Sequence, residues 1–487
     1  MRWLLAGAIA SSLAISFSLA CSAWAYDFTV DVRTIGQGYH VRGYAPDGSN
    51  QLLTRRRITQ YLNLNVFDIE PDRWKDPDGG RNNLFVDVSL RFDTDFGGYT
   101  LGRPTGLDAI RELQQNQVDI LYAIVGGRDI GGRLDFQLGR QIHFDLVDFY
   151  SFDGADVVLR AQKPLVVEAF AGTEVRGELP LSSPVFELDG TSAGSRDPAT
   201  RPDQASELRP LAGAAIAVDP GGATALRLAY RRVWSATADR LPGEPSSGVN
   251  DEKLSLTGNA GWRDRVFVTF GVRYNLLLAM FDDQQVGVRV RLTSRQWLSV
   301  EQAYLAPTFD GDSIWNIFST GAYRDFRATY ELHFAPGVKA NARGFVRVFE
   351  STPDETVAGQ DLGAQAPGGR LAGGGTLGIE VRRARSFLRI DGYYDDGYGG
   401  RKVGADLSAR YAVYPGQWEL EGRLTGYGWR SDLQPESNRG VVFGAQAGSR
   451  YQLAPGMRMH FLAEDNTGTL YRSQFRGLAL IDVDASL

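Results

Sequence analysis

Cysteine is almost missing from this chain: one residue, Cys21, in 487. It follows Arg2 and an apolar, small-residue run from Trp3 to Ala20, and it precedes Ala23-Trp24-Ala25 and Tyr26. That is the layout of a cleavable secretory signal over residues 1–25, with a single domain expected over 26–487. A lipid-anchored reading through Cys21 meets Ser18 where a branched apolar residue is wanted three places earlier. Cleavage after Ala25 leaves a chain without cysteine, which excludes a disulfide framework and a thiolate metal site.

Long apolar runs are also lacking. After residue 25 none approaches the roughly 18 residues that a membrane-spanning helix needs. If the chain crosses a membrane it does so as a closed barrel, the other structure that pairs every backbone group in lipid.

Lysine is scarce: of 52 basic residues only Lys75, Lys163, Lys253, Lys339 and Lys402 are lysines. Without Arg2 the balance is 51 basic against 58 acidic, a formal charge of −7, which excludes nucleic acid as a partner. The arginine bias fits a GC-rich genome as well as it fits recognition of carboxylate or phosphate by planar guanidinium groups. Position therefore matters more than number.

The four histidines (His40, His143, His333, His460) are scattered and follow no zinc, nucleophile-elbow or P-loop pattern. His143 and Asp145 could share a strand face, where a lumen hydrogen bond is the plainer reading. No catalytic residue, no metal site and no cofactor is expected, so the chain does not read as an enzyme. Asp76-Pro77-Asp78-Gly79-Gly80 reads as a solvated acidic loop, since it lacks the spacing of a calcium loop. The clusters Gly126 to Gly132 and Gly397 to Gly400 read as turns between strands.

What the chain does have is glycine (57), tyrosine (20), phenylalanine (25) and alternation. Phe326, Ala328, Tyr330, Leu332 and Phe334 oppose Asp325, Arg327, Thr329, Glu331 and His333. Val338, Ala340, Ala342, Gly344, Val346 and Val348 oppose Lys339, Asn341, Arg343, Phe345 and Arg347. Segments of about ten residues with period two are the signature of a transmembrane β-barrel. A soluble sandwich or propeller also alternates, but does not carry so many strands with one small apolar face and one charged face.

Pro336-Gly337, Pro415-Gly416 and Pro455-Gly456 each sit between alternating runs, and three tight turns of one kind imply one shared rim. The stretches Glu70 to Asn83, Glu178 to Ser206, Ala236 to Asn250 and Glu350 to Gly369 are polar and read as long loops; Gly106 to Gln117 could make one short helix. Short turns are expected to face the periplasm and long loops the exterior. The fold class expected is all-β, an antiparallel up-and-down transmembrane barrel of about 18 strands (range about 16 to 22). Phe475, Gly477, Ala479, Ile481, Val483, Ala485 and Leu487 mark a last strand that must pair with the first. Tyrosines and tryptophans gather near run ends (Tyr393, Tyr394, Tyr411, Tyr414, Trp418, Tyr427, Trp429, Tyr451), as interfacial belts require.

In a barrel the polar face is the lumen. On the best-phased strands it carries twelve basic residues: Arg227, Arg231, Arg289, Arg291, Arg327, Lys339, Arg343, Arg347, Arg410, Arg423, Arg450 and Arg458. Against them stand six acids, Asp325, Glu331, Asp406, Glu419, Glu421 and Glu464. A basic lumen concentrates anions. Arg55 and Arg57 share an expected inward face with Thr59, Tyr61, Asn63 and Asn65, a mixture suited to hydroxyl-rich sugars.

Leu138 to Gln141 reads Leu-Gly-Arg-Gln, and Phe152 to Ala155 reads Phe-Asp-Gly-Ala. Their pairing resembles the alginate-export and porin-like outer-membrane barrels, in which the first motif lies on a strand and the second begins the next hairpin. The resemblance implies a large monomeric barrel that conducts small solutes or secreted polysaccharide, with Arg140 and Gln141 as structural or lumen residues. The expected location is the bacterial outer membrane, with its lipid as partner. The expected function is a channel for hydrophilic, preferentially anionic cargo, with polysaccharide conduit ahead of passive porin. The conduit would work with a periplasmic export partner. The alternative of a different class is a structural or adhesive barrel with a plugged lumen and binding loops.

Overall fold

The computed structural model describes residues 27–44, 50–67, 69, 83–95, 117–147, 149–162, 164–175, 209–219, 224–234, 248–306, 322–350, 356–357, 360–361, 371–431, 439–469 and 474–486. The signal expected over 1–25, the short helix expected over Gly106 to Gln117 apart from Gln117 itself, which begins a strand, the acidic stretch 76–80 and nearly all of the long loops lie outside them.

Alternation becomes strands throughout. In chain order they are β1 (Asp27–Tyr44), β2 (Asn50–Phe67), β3 (Asn83–Asp95), β4 (Gln117–Ile130), β5 (Leu134–Phe144), β6 (Phe149–Gln162), β7 (Leu165–Glu174) and β8 (Pro210–Val218). There follow β9 (Ala225–Trp234), β10 (Val249–Trp262), β11 (Val266–Asn275), β12 (Met280–Thr293), β13 (Gln296–Leu305), β14 (Tyr323–Ala335), β15 (Val338–Phe349), β16 (Thr356–Val357) and β17 (Gln360–Asp361). The last seven are β18 (Leu371–Arg382), β19 (Ser386–Gly397), β20 (Gly400–Tyr414), β21 (Trp418–Ser431), β22 (Arg439–Ala454), β23 (Met457–Gly468) and β24 (Gln474–Ser486). β16 and β17 pair with each other; the other 22 make one sheet.

Each strand of that sheet pairs antiparallel with its neighbour, and β24 pairs with β1 from Thr29↔Ser486 to Tyr39↔Arg476. The sheet is a closed β-barrel. Its strand number exceeds the expected 18 because tight hairpins use fewer residues than a uniform repeat allows: β11 to β13 are joined by Leu276–Ala279 and then Ser294–Arg295 alone.

Strand direction sorts the connections into two rims. All three Pro-Gly turns (β14–β15, β20–β21, β22–β23) fall on the rim where β1 begins and β24 ends. The wide gaps after β7, β9, β13 and β15 fall on the other, whereas the gap after β2 (68–82) falls on the Pro-Gly rim, which corrects the exterior placement expected for Glu70 to Asn83. At Gly456, φ is +77° and a Cβ would strike the Asp484 carbonyl, so only glycine closes that turn without strain.

The outer face is apolar and exposed on successive strands: Leu226 and Leu228, Val286, Val300, Phe326, Val346, Leu377, Val403, Leu424, Phe443, Phe461 and Phe475. A closed wall with that exterior spans a membrane, since water would expel so much contiguous apolar surface. Aromatic residues band it near the short-turn rim, where Trp262, Phe334, Tyr411, Tyr414 and Tyr451 are exposed and Tyr414 stacks on Trp418 at 6.2 Å. Tyr393, Tyr427 and Trp429 correct the expected belt: their register positions place them on the inner face, with Lys402 Nζ 5.3 Å and 4.5 Å from the two tyrosine rings. Gly126 and Gly127 are likewise strand residues of β4, beneath Phe85 and Phe136, while Gly131 and Gly132 make the turn with Arg133.

Replacing Gly456 by valine is expected to lower the stability of the folded barrel by roughly 1–3 kcal/mol. A guanidinium midpoint equal to that of the unaltered protein in detergent would contradict this account of the turn.

Candidate functional site

The inner wall collects what alternation places on it. Arg227 and Arg231 (β9), Arg289 and Arg291 (β12), Arg327 (β14) and Arg343 and Arg347 (β15) all lie on the face opposite the exposed apolar residues of their strands. Asn63 and Asn65 do the same on β2, where Asn63 donates to Asp31 (2.9 Å) and accepts from Ser89 (2.5 Å). Arg55 and Arg57 lie on β2 opposite Tyr39 and Gln37; their side chains fall outside the described residues.

Arg140 is a correction. It shares the outer face of β5 with the exposed Leu138 and is held by Asp153 at 2.8 Å and 2.9 Å. Neighbours on a strand point to opposite faces, so Arg140 and Gln141 cannot both line the lumen. Gln141 is the inward one, buried, with its amide donating to the carbonyls of Gln137 and Gly154 (3.2 Å each). The two motifs pair directly across β5 and β6, from Leu138↔Ala155 to Gln141↔Phe152, so the second lies within β6 and does not open a hairpin.

Charge on this wall is largely matched. Asp325 holds Arg327 and Arg347, each at 2.7 Å. Glu331 meets Arg289 at 3.1 Å, Glu380 meets Lys339 and Arg382, and Glu421 meets Arg450 and His460. Arg458 pairs with Asp484, Arg476 with Glu464 and Arg33 with Asp482. The expected two-to-one excess of bases came from strands chosen for clear phase. Inward acids on the other strands, including Asp31, Asp156, Glu168, Asp251, Glu380 and Asp482, remove most of it.

Three arginines on β12, β15 and β20 stand outside these pairs. Among the described residues no ion pair engages Arg291, Arg343 or Arg410. Arg291 lies 5.5 Å from the centre of the inward Trp297 ring, which Arg289 also faces at 4.6 Å, and Arg410 lies 4.6 Å from the Phe387 ring.

Sequence reasoning missed another part of the wall. The connection between β5 and β6 folds onto the inner wall: the Val147 side chain is buried against Ala215 and Ala229, and the Val147 amide donates to Asp145 (2.8 Å). Arg227 clamps the turn, bonding Glu168 twice (2.8 and 3.1 Å) and reaching Asp145 at 3.4 Å. Arg273 donates to the Leu146 carbonyl (3.3 Å) and to Asp282 (2.7 Å). Gly271 has no side chain where Leu146 sits; a Cβ there would lie 2.8 Å from the leucine methyl.

Beside the turn, Tyr150, Phe152, Phe170, Leu211 and Val233 form a buried cluster. His143 packs against its rings at 5.0–5.4 Å and meets the Tyr150 hydroxyl at 3.3 Å. Arg231 lies over Tyr150 (4.4 Å) and pairs with Asp251, which also meets Lys253 at 3.3 Å. A signal existed in Pro210–Val218: the inner face of β8 is Leu211, Gly213, Ala215 and Ala217, without a polar group. A barrel strand that is apolar on both faces has its inner face covered.

No protein-family model and no curated protein matches the chain. Solved structures that it is similar to include OccAB4 of Acinetobacter baumannii (6% identity, 95% of this chain and 98% of that one, TM-score 0.41). A BenF-like porin from Pseudomonas fluorescens Pf-5 gives 8%, 95%, 99% and 0.42. OccK7 (OpdD) of Pseudomonas aeruginosa gives 11%, 95%, 99% and 0.43. At this distance the cargo must be read from the chain's own wall. The alginate-export side of the motif resemblance gains no support, and its residues serve as wall packing.

Arg227→Ala is expected to cost about 3 kcal/mol by stranding Glu168 and Asp145, and Arg227→Ala with Glu168→Ala is expected to recover more than half of it. Additive losses in a double-mutant cycle would show that the clamp is not one coupled unit.

Proposed function

We propose that the chain is an outer-membrane channel for small hydrophilic solutes, with anions favoured along the wall from β12 to β20. The observation that carries this reading is the inner wall itself: a charged, water-facing lining with unmatched arginines on β12, β15 and β20 and an inward turn pinned across another part. The three Pro-Gly turns on one rim and most of the wide gaps on the other support a periplasmic and an exterior end respectively.

The inward turn also favours one cargo over the other. A chain of sugars passing continuously needs a lumen of sustained width, whereas Asp145–Val147 and the cluster around Tyr150 project into it and are held by at least two arginines. Small solutes pass beside such an obstruction, so passive conduction replaces the expected polysaccharide conduit, and no export partner is required. Arginine forks suit carboxylate or phosphate groups on those solutes.

The test is the reversal potential of the purified protein in a planar bilayer across a potassium chloride gradient. Anion preference is expected, reduced about twofold or more when Arg291, Arg343 and Arg410 are all replaced by glutamine. Cation preference in the unaltered protein, or no change in the triple variant, would overturn the anion preference assigned to these arginines.

A further inference from the structure

Three arginines occupy one register row on the outside of the barrel. Arg401 (β20) pairs across to Arg430 (β21), and Arg430 to Arg439 (β22). Their positions share the outer face with the exposed Val403, Leu424, Val441 and Phe443, so the row stands on the lipid side of the wall. It lies at the rim opposite the Pro-Gly turns, where β19 and β20 are joined by Tyr398–Gly399 alone.

We propose that Arg401, Arg430 and Arg439 bind the phosphate groups of a phosphorylated glycolipid in the outer leaflet. A guanidinium carries five N–H donors, more than one carboxylate takes, so a phosphate laid along the row adds to the pairing with Asp396 and extends it to Arg439. Guanidinium forks match phosphate oxygens in pairs, which makes arginine the residue for such a headgroup. Asp396 orients the first: its carboxylate takes Arg401 at 2.7 Å, accepts from the Tyr394 hydroxyl at 2.8 Å and reaches Arg430 at 4.0 Å. Acyl chains of the same lipid would lie on Val441 and Phe443 below. That vertical order of fixed cations above exposed apolar side chains suits an amphiphile, and a free phosphate ion would use only its upper half.

The site rests on the membrane orientation proposed above, while its test is independent of conduction. Full-length protein in detergent would be titrated with diphosphoryl lipid A and, separately, with the same lipid stripped of phosphate, and retained lipid would be read by native mass spectrometry. Retention of the diphosphoryl form is expected to exceed that of the stripped form about tenfold or more, and to fall by about as much in the Arg430→Gln, Arg439→Gln variant. Arg140→Gln removes an outer-face arginine elsewhere and is expected to retain lipid, which separates the row from general surface charge. Each variant's barrel would be verified by its heat-modifiable gel mobility. Equal retention by the unaltered protein and the double variant would overturn the proposal, as would displacement of the lipid by millimolar inorganic phosphate.

Discussion

Every backbone N–H and C=O that faces hydrocarbon must find a partner inside the protein, because lipid offers none. The pairing of β24 with β1 meets that demand at the one place where a sheet would otherwise end. With the ring closed, alternation acquires a fixed meaning: one face of every strand is outside and the other is inside. The arginines, the inward turn and the lipid-facing row all take their positions from that division.

Closure explains why the broad fold was legible and why its details were not. Period two in Arg324 to Phe334 and Val338 to Val348, and the repeated Pro-Gly turns, identify strands and a shared rim without any three-dimensional information. Strand number depends on how few residues each connection uses, and a count by average repeat spreads that saving away. Parity is exact only within an unbroken strand. Arg140 and Gln141, adjacent in the chain, were both expected inside because a motif was treated as one unit, whereas the pleat separates them. The register shifts at Ser89/Leu90 and Arg291/Thr293 show where such phasing breaks.

The electrostatics of the lumen follow from neighbour pairing. A guanidinium on one strand stands about 5 Å from the inward residue of the next, close enough for a carboxylate there to hold it. Asp325 holds Arg347 and Glu380 holds Lys339 in this way, and each acid also holds the arginine two places along its own strand, Arg327 and Arg382. A census by strand sees each arginine alone; the barrel sees it beside its neighbours. The proposed selectivity therefore rests on the minority of arginines that no carboxylate holds. Arg343 lies between Thr329 and Thr376, and its charge remains available to solutes.

The inward turn depends on the opposite device. Burying Leu146 and Val147 against a charged wall would strip water from ions with nothing to replace it. Ala215 of β8, Ala229 of β9 and Gly271 of β11 remove that cost, and the charged residues beside them, Arg227 and Arg273, bind the turn through its carboxylate and carbonyl. Neutral seat and charged clamps act together: the first lets the turn come in, and the second fixes where it stops. A lumen lined by ions on all sides would have held water in that place. The narrowing is thus built from small neutral residues at a few inward positions, and the proposed anion preference from a few arginines elsewhere that no carboxylate holds.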